Sequence, residues 1–124
     1  LEFCYRSRPD QKVLCGINVN MPANTTTALV GKSGSGKSTV VHLLLRFYEP
    51  TKGRILVDGV DLNEYSSVSF RKLVGFVAQD TQLFATSIYE NLIYGLEPPP
   101  SMEDVIRATT AANAHEFICE MEEK

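Results

Sequence analysis

Eight consecutive residues, Gly31-Lys32-Ser33-Gly34-Ser35-Gly36-Lys37-Ser38, constrain this chain more than any other feature of it. They fit Gly-x-x-x-x-Gly-Lys-[Ser/Thr], the pattern of a loop whose backbone wraps phosphate oxygens. At average residue usage, the four specified residues would coincide in a chain of this length less than about 1% of the time. Such a loop needs a strand before it and a helix after it, and both are legible. Thr26–Gly31 reads as a buried strand. Gly36 to Phe47, with apolar residues at 40, 41, 43, 44, 45 and 47, reads as a helix buried along most of its girth.

The residue types suit the chemistry. Phosphate oxygens carry several negative charges and need many donors at short range. Glycines at 31, 34 and 36 let the backbone curl until successive N–H groups point inward as an anion nest. The helix opening at Gly36–Lys37 adds free N–H groups and about half a positive charge at its N-terminus. Lys37 would reach the β- and γ-phosphates as a point charge, and Ser38 would place its hydroxyl on Mg²⁺, a hard ion that prefers oxygen. Lys32 and Ser33 would contribute mainly backbone N–H groups.

Composition narrows the class. The chain has 124 residues, 44% of them apolar and 22% charged, as in an ordinary globular domain or part of one. Fifteen acidic against twelve basic residues give a net charge of −3, which argues against nucleic acid as a partner. The scattered basic groups (Arg6, Arg8, Lys12, Arg71, Lys72) read as solvated surface. No apolar run is long enough to span a bilayer, and no signal peptide is visible. Cys4, Cys15 and Cys119 form no Cys-x-x-Cys or Cys/His cluster, so buried or half-buried free thiols are expected. Neither His42 nor His115 has an evident partner nearby in sequence.

Along the rest of the chain, Leu1–Tyr5 and Val13–Val19 read as an antiparallel hairpin around Arg8-Pro9-Asp10. Arg54–Val57 and Val60–Leu62 flank Asp58-Gly59, a strong two-residue hairpin signal. That turn also accounts for Asp58, which ends an apolar stretch as a metal-binding Asp would but is followed by Gly59 and not by an acid. Ser67–Leu73 reads as a short helix and Val74–Ala78 as another buried strand. After a linker from Tyr94-Gly95 to Pro100, Ser101-Met-Glu-Asp104 has the form of a capping box opening a helix of about ten residues. Asn113-Ala-His-Glu116 repeats that form and opens a last helix, expected to run to the final residue.

With these segments in view, the chain resembles the first half of a nucleotide-binding domain of an ATP-binding-cassette transporter of the multidrug and peptide exporter type. The resemblance covers essentially all 124 residues. Phe3-Cys4-Tyr5-Arg6-Ser7-Arg8-Pro9 is similar to the aromatic A-loop, and Ala28 to Thr39 to the Walker A stretch. Arg46 to Gly59 is similar to the stretch after Walker A in exporters. Val77-Ala-Gln79-Asp80 with Leu83-Phe84 resembles the Q-loop region, and Ser87-Ile-Tyr-Glu-Asn91 with Tyr94-Gly95 the segment beyond it. Two departures are Asn24, where such domains usually turn with glycine, and Thr81, in place of a common proline.

The resemblance implies an α/β fold: a P-loop NTPase core with an N-terminal antiparallel β subdomain and the start of a helical subdomain, together an incomplete domain. Residues 1–30 and 54–62 would form the antiparallel part, 31–53 and 67–80 the core, and 95–124 the start of the helical subdomain. It implies ATP and Mg²⁺ as cofactors, with Tyr5 stacking on adenine. Gly31, Ser33, Gly34, Ser35, Gly36, Lys37, Ser38 and Thr39 would contact the nucleotide. Ser38 and Gln79 would serve the metal, and Lys37 and Gln79 catalysis.

The implied function is the ATP-binding portion of an exporter coupling ATP binding and hydrolysis to transport. Its partners would be a second nucleotide-binding domain, identical or not, and transmembrane domains outside this chain. This segment would lie on the cytosolic or matrix-type, ATP-rich side of a membrane. Leu-Ser-Gly-Gly-Gln, an apolar strand ending in Asp-Glu and a switch histidine do not occur in these residues, so the 124 residues alone are not expected to catalyse. A short non-catalytic nucleotide-binding or interaction module is the alternative, and a small P-loop kinase a weaker one.

Overall fold

The computed structural model describes residues 1–121, which fall into two compact units, Leu1–Phe76 and a second beginning at Val77. In the first, β1 (Glu2–Cys4) pairs antiparallel with β2 (Lys12–Cys15), placing Glu2 opposite Cys15 and Phe3 opposite Leu14. The register then slips so that Cys4 faces Lys12. Val13 is therefore the extra residue of a β-bulge, a device that bends a strand and re-aims a side chain. Lys12 and Glu2 pair at 2.9 Å, which holds the Glu2 carboxyl below and the Lys12 ammonium above their usual ranges. The chain returns to β1 at Lys52, whose carbonyl accepts from Glu2 N–H at 2.8 Å.

Helix α1 (Lys37–Leu44) packs on this hairpin. Phe3, Leu14 and Leu43 form the buried cluster, with Leu1, Tyr5, Val13, Ile17, Val40 and Ile55 around it. Each such buried Leu or Phe contributes about 1.5–3 kcal/mol. The helix is shorter than its apolar pattern suggested, because the chain reverses at Arg46 (φ 55°). Phe47 N–H bonds back to His42 C=O at 2.9 Å and Arg46 N–H to Leu43 C=O at 3.1 Å, a Schellman closure. Arg71 lends Nε to Leu45 C=O and Nη2 to Arg46 C=O, with its guanidinium 5.6 Å from the Phe47 ring centroid. Phe47 is thus exposed beyond the helix, and within α1 only Thr39 and Leu43 are fully buried.

The Asp58-Gly59 turn forms as expected between β3 (Leu56–Val57) and β4 (Val60–Asp61), both turn residues at positive φ (51° and 84°). A single 3₁₀ turn (Leu62–Glu64) and α2 (Ser67–Lys72) complete the unit. Asn24 takes the left-handed conformation (φ 57°) expected of its turn.

Two expected strands are absent among the described residues. Thr26–Gly31 and Val74–Ala78 are not strands, and both are largely exposed; Val30 is 92% and Val77 93% accessible. A parallel strand is held by neighbours on its edges, and neither segment is paired in either of the two-stranded sheets. Apolar character marks them as sheet candidates, but pairing decides whether a strand exists.

In the second unit, α3 (Ile88–Ile93) opens with a full capping box between Ser87 and Glu90. The Asn91 amide holds the preceding loop through Phe84 N–H (2.8 Å), Phe84 C=O (3.1 Å) and Ser87 C=O (2.9 Å). Helix α4 (Met102–Ala111) has the expected length and is capped by Ser101, whose Oγ accepts from Asp104 N–H at 3.2 Å. Asn113 does not cap the last helix. At φ 54° it closes α4 in a second Schellman arrangement, with Ala114 N–H on Thr109 C=O at 2.8 Å. Helix α5 (His115–Glu120) begins after Ala114 and stops at Glu120. Its expected continuation to the final residue includes 122–124, which lie outside the described residues. Of the thiols, Cys4 is half-buried and Cys15 and Cys119 are exposed, more open than expected. His115 does find partners: its Nδ1 lies 3.3 Å from Thr109 Oγ1 and its Nε2 3.6 Å from Cys119 Sγ.

Candidate functional site

The phosphate-loop pattern takes a curled form. Ser35 N–H bonds to Lys32 C=O at 3.2 Å, and Gly34 and Gly36 both lie at positive φ (77° and 92°). Only glycine adopts this backbone without strain. At Gly36 a Cβ would also fall 2.8 Å from Leu14 Cδ2, so the loop is pressed against β2. Gly36 is the N-cap of α1 with no side-chain cap, and the first helical bond is Val40 N–H to Gly36 C=O at 3.1 Å. The amides of Lys37, Ser38 and Thr39 are therefore not used within the helix.

Lys37 folds back along the loop and donates from Nζ to Gly31 C=O and Lys32 C=O, each at 2.8 Å. An ammonium has three donors, so one remains for a ligand beside the loop. Ser33 and Ser35 belong to the same turn, and Ser38 is the second residue of the helix after it. Free amides at a helix N-terminus, an ammonium and a serine hydroxyl are the donor set that a Mg²⁺-bound polyphosphate requires.

A cleft of about 270 Å³ opens beside the loop, lined by Tyr5, Arg8, Gln11, Val13, Gly34, Gly36, Ser38 and Thr39. It joins the aromatic end of the expected site to its phosphate end. Tyr5 is half-buried, and its hydroxyl lies 3.0 Å from Thr39 Oγ1, which itself is buried on the first turn of α1. Arg8, read from sequence as solvated surface, is exposed but lines this cleft. Gln11 and Val13 carry no signal of a site in the sequence. The bulge in β2 that brings Val13 to the cleft depends on pairing between chain segments, which no local pattern records. Gln79 belongs to the second unit and is exposed, without regular secondary structure. Among the described residues, no group of three or more His, Cys, Asp and Glu side chains is arranged to hold a metal ion. Nor is any helix among them long and apolar enough to cross a membrane.

Comparison with known proteins gives consistent findings. A family model described as ABC transporter matches residues 14–123. "ABC transporter B family member 28" of Arabidopsis thaliana is 50% identical over 119 residues, covering 95% of this chain and 17% of that protein. "ABC transporter B family member 1" of Dictyostelium discoideum is 45% identical over 122 residues, 98% of this chain and 13% of that protein. Among solved structures, a bacterial Atm1-family ABC exporter with ATP bound superposes with a TM-score of 0.90 at 38% identity. That match covers 98% of this chain and 21% of the exporter chain. This chain thus spans less than a fifth of the length of these two curated relatives.

Proposed function

Because this chain belongs to the ABC transporter family, we propose that it is the ATP-binding portion of an exporter in which ATP binding and hydrolysis drive transport across a membrane. The cleft that joins Tyr5 to Gly34, Gly36, Ser38 and Thr39 carries this reading, since it lines one cavity with an aromatic ring and with residues of the phosphate-loop pattern. The Tyr5 ring gives adenine a stacking surface, a contact worth about 1–3 kcal/mol in comparable sites. The loop from Gly31 to Thr39, Ser33 and Ser35 included, wraps the phosphates with its amides, and Lys37 adds a positive charge. The Arg8 guanidinium on the cleft wall adds a second.

The Ser38 hydroxyl would hold Mg²⁺, which would supply charge neutralisation on the phosphates when bound; a metal role for Gln79 rests on the family likeness of its own segment. Gln79, neutral and both donor and acceptor, orients the attacking water. Phosphoryl transfer depends mainly on positioning and charge stabilisation, and a second nucleotide-binding domain closes the site from the other side. The segment faces the ATP-rich cytosolic or matrix-type side, joined to transmembrane domains outside these residues. In this reading residues 1–30 and 54–62 belong to its antiparallel part, 31–53 and 67–80 to its nucleotide core, and the residues from 95 on to the start of its helical part.

ATP hydrolysis by the full-length protein tests the assignment. Lys37→Ala is expected to lower turnover by at least about a hundredfold, the scale set by removing one transition-state donor. Undiminished hydrolysis in that variant contradicts the role given to Lys37. Gln79→Ala is expected to lower turnover while ATP still binds, and lost binding would contradict its role.

A further inference from the structure

The base end of the cleft rests on three aromatic rings. The Tyr5 ring stands at 83° to that of Phe3, with centroids 4.9 Å apart, and at 90° to that of Tyr48 at 5.1 Å. Phe3 and Tyr48 approach each other to 5.8 Å, so each ring contacts the other two. Perpendicular pairs of this kind bring the positive edge of one ring to the negative face of another and so select an angle as well as a distance. The Tyr5 hydroxyl is fixed separately, 3.0 Å from Thr39 Oγ1. Among the described residues that is the sole hydrogen bond of the Thr39 hydroxyl, and Thr39 is buried.

The three rings differ in what they support. Phe3 is at the centre of the core, paired with Leu14 across the hairpin and clustered with Leu43. Tyr48 is 44% accessible and outside that cluster. It lies just past α1, two residues after the chain turns at Arg46, and touches Tyr5 from that side.

We infer that Tyr48 is a positioning residue for nucleobase recognition, its ring setting the angle at which Tyr5 faces the cleft. The inference rests on the ATP reading above and extends it to a residue outside the phosphate loop and outside the lining of the cleft. Tyr48 acts through Tyr5, so its effect is confined to ligands that carry a base.

Binding of Mg·ATP and of Mg·tripolyphosphate to the full-length protein separates the two ends of the site, because tripolyphosphate has no base. Tyr48→Leu is expected to weaken ATP binding about fivefold, the size a lost aromatic pair supports, and to leave tripolyphosphate binding unchanged. Tyr48→Phe, which keeps the ring, is expected to match the wild type for both. An equal loss for both ligands in Tyr48→Leu overturns the inference, since it marks Tyr48 as general support for the fold. Retention of both overturns it too, as does a Tyr48→Phe variant as weak as Tyr48→Leu. A wild-type protein that binds tripolyphosphate and ATP equally well overturns base recognition at this end. One that binds neither overturns the ATP reading itself.

Discussion

At the residue scale, two glycines of the loop share a backbone conformation and differ in consequence. Gly34 and Gly36 both sit at positive φ, where a side chain costs roughly 1–2 kcal/mol. Gly34 has open space where a Cβ would project, whereas Gly36 has Leu14 Cδ2 at 2.8 Å and Val13 C=O at 3.3 Å. Gly36→Ala is therefore expected to lower the melting temperature of the full-length protein's nucleotide-binding domain more than Gly34→Ala does. Equal shifts in thermal unfolding would contradict the contact with β2. The pattern in the sequence specifies Gly36 and leaves Gly34 at an open position, but it cannot supply the reason, because Leu14 lies more than twenty positions from Gly36. The same limit hides Gln11 and Val13: they reach the cleft through the hairpin, while Lys37 and Ser38 are legible in the pattern itself.

At the scale of elements, helix ends are partly legible. Ser101 and Asp104 announce α4, and the structure uses them: Ser101 Oγ accepts from Asp104 N–H, and the Ser101 hydroxyl meets the Asp104 carboxylate at 2.6 Å. The same spacing at Ser87 and Glu90 opens α3, a capping signal that the segment's likeness to a transporter loop obscures. Asn113 departs from expectation for a physical reason: Asn favours both helix starts and the left-handed turn after a helix, and the preceding α4 claims it for the second. Ser101→Ala is expected to cost α4 about 1 kcal/mol, read as faster amide hydrogen exchange over residues 102–111. Exchange at the wild-type rate would show the cap to be idle. The Ser101 hydroxyl, and then the Arg107 charge, hold the Asp104 carboxyl below the usual carboxylate range. Its contribution to α4 is therefore present above the unfolded-state value and is lost as the pH falls below about 4. Protection of α4 should fall over that range in the wild type and show less pH dependence in Asp104→Asn. An identical pH profile in the variant would contradict this.

At the scale of the whole molecule, the chain is part of an α/β P-loop NTPase domain whose described residues form two small antiparallel sheets and five helices. The fold class is legible because one loop pattern demands it. The two expected buried strands, Thr26–Gly31 and Val74–Ala78, do not form among the described residues, since apolar residues specify burial and leave the choice of partner open. The large apolar side chains left exposed, Val30 and Val77 above all, have a consequence for these 124 residues in isolation. They are expected to self-associate and to bind a hydrophobic dye, and a sharp, cooperative, monomeric melt would contradict that. The central claim is that the cleft between the first hairpin and the Gly31–Ser38 loop holds ATP, base toward Tyr5 and phosphates toward the loop. Photolabelling of the full-length protein with ATP carrying an azide on its adenine ring, followed by mapping of the labelled peptide, tests it most directly. Labelling of the peptide that contains Tyr5, suppressed by unmodified ATP, is the expected result. Specific, ATP-suppressed labelling elsewhere, with the Tyr5 peptide untouched, would contradict it.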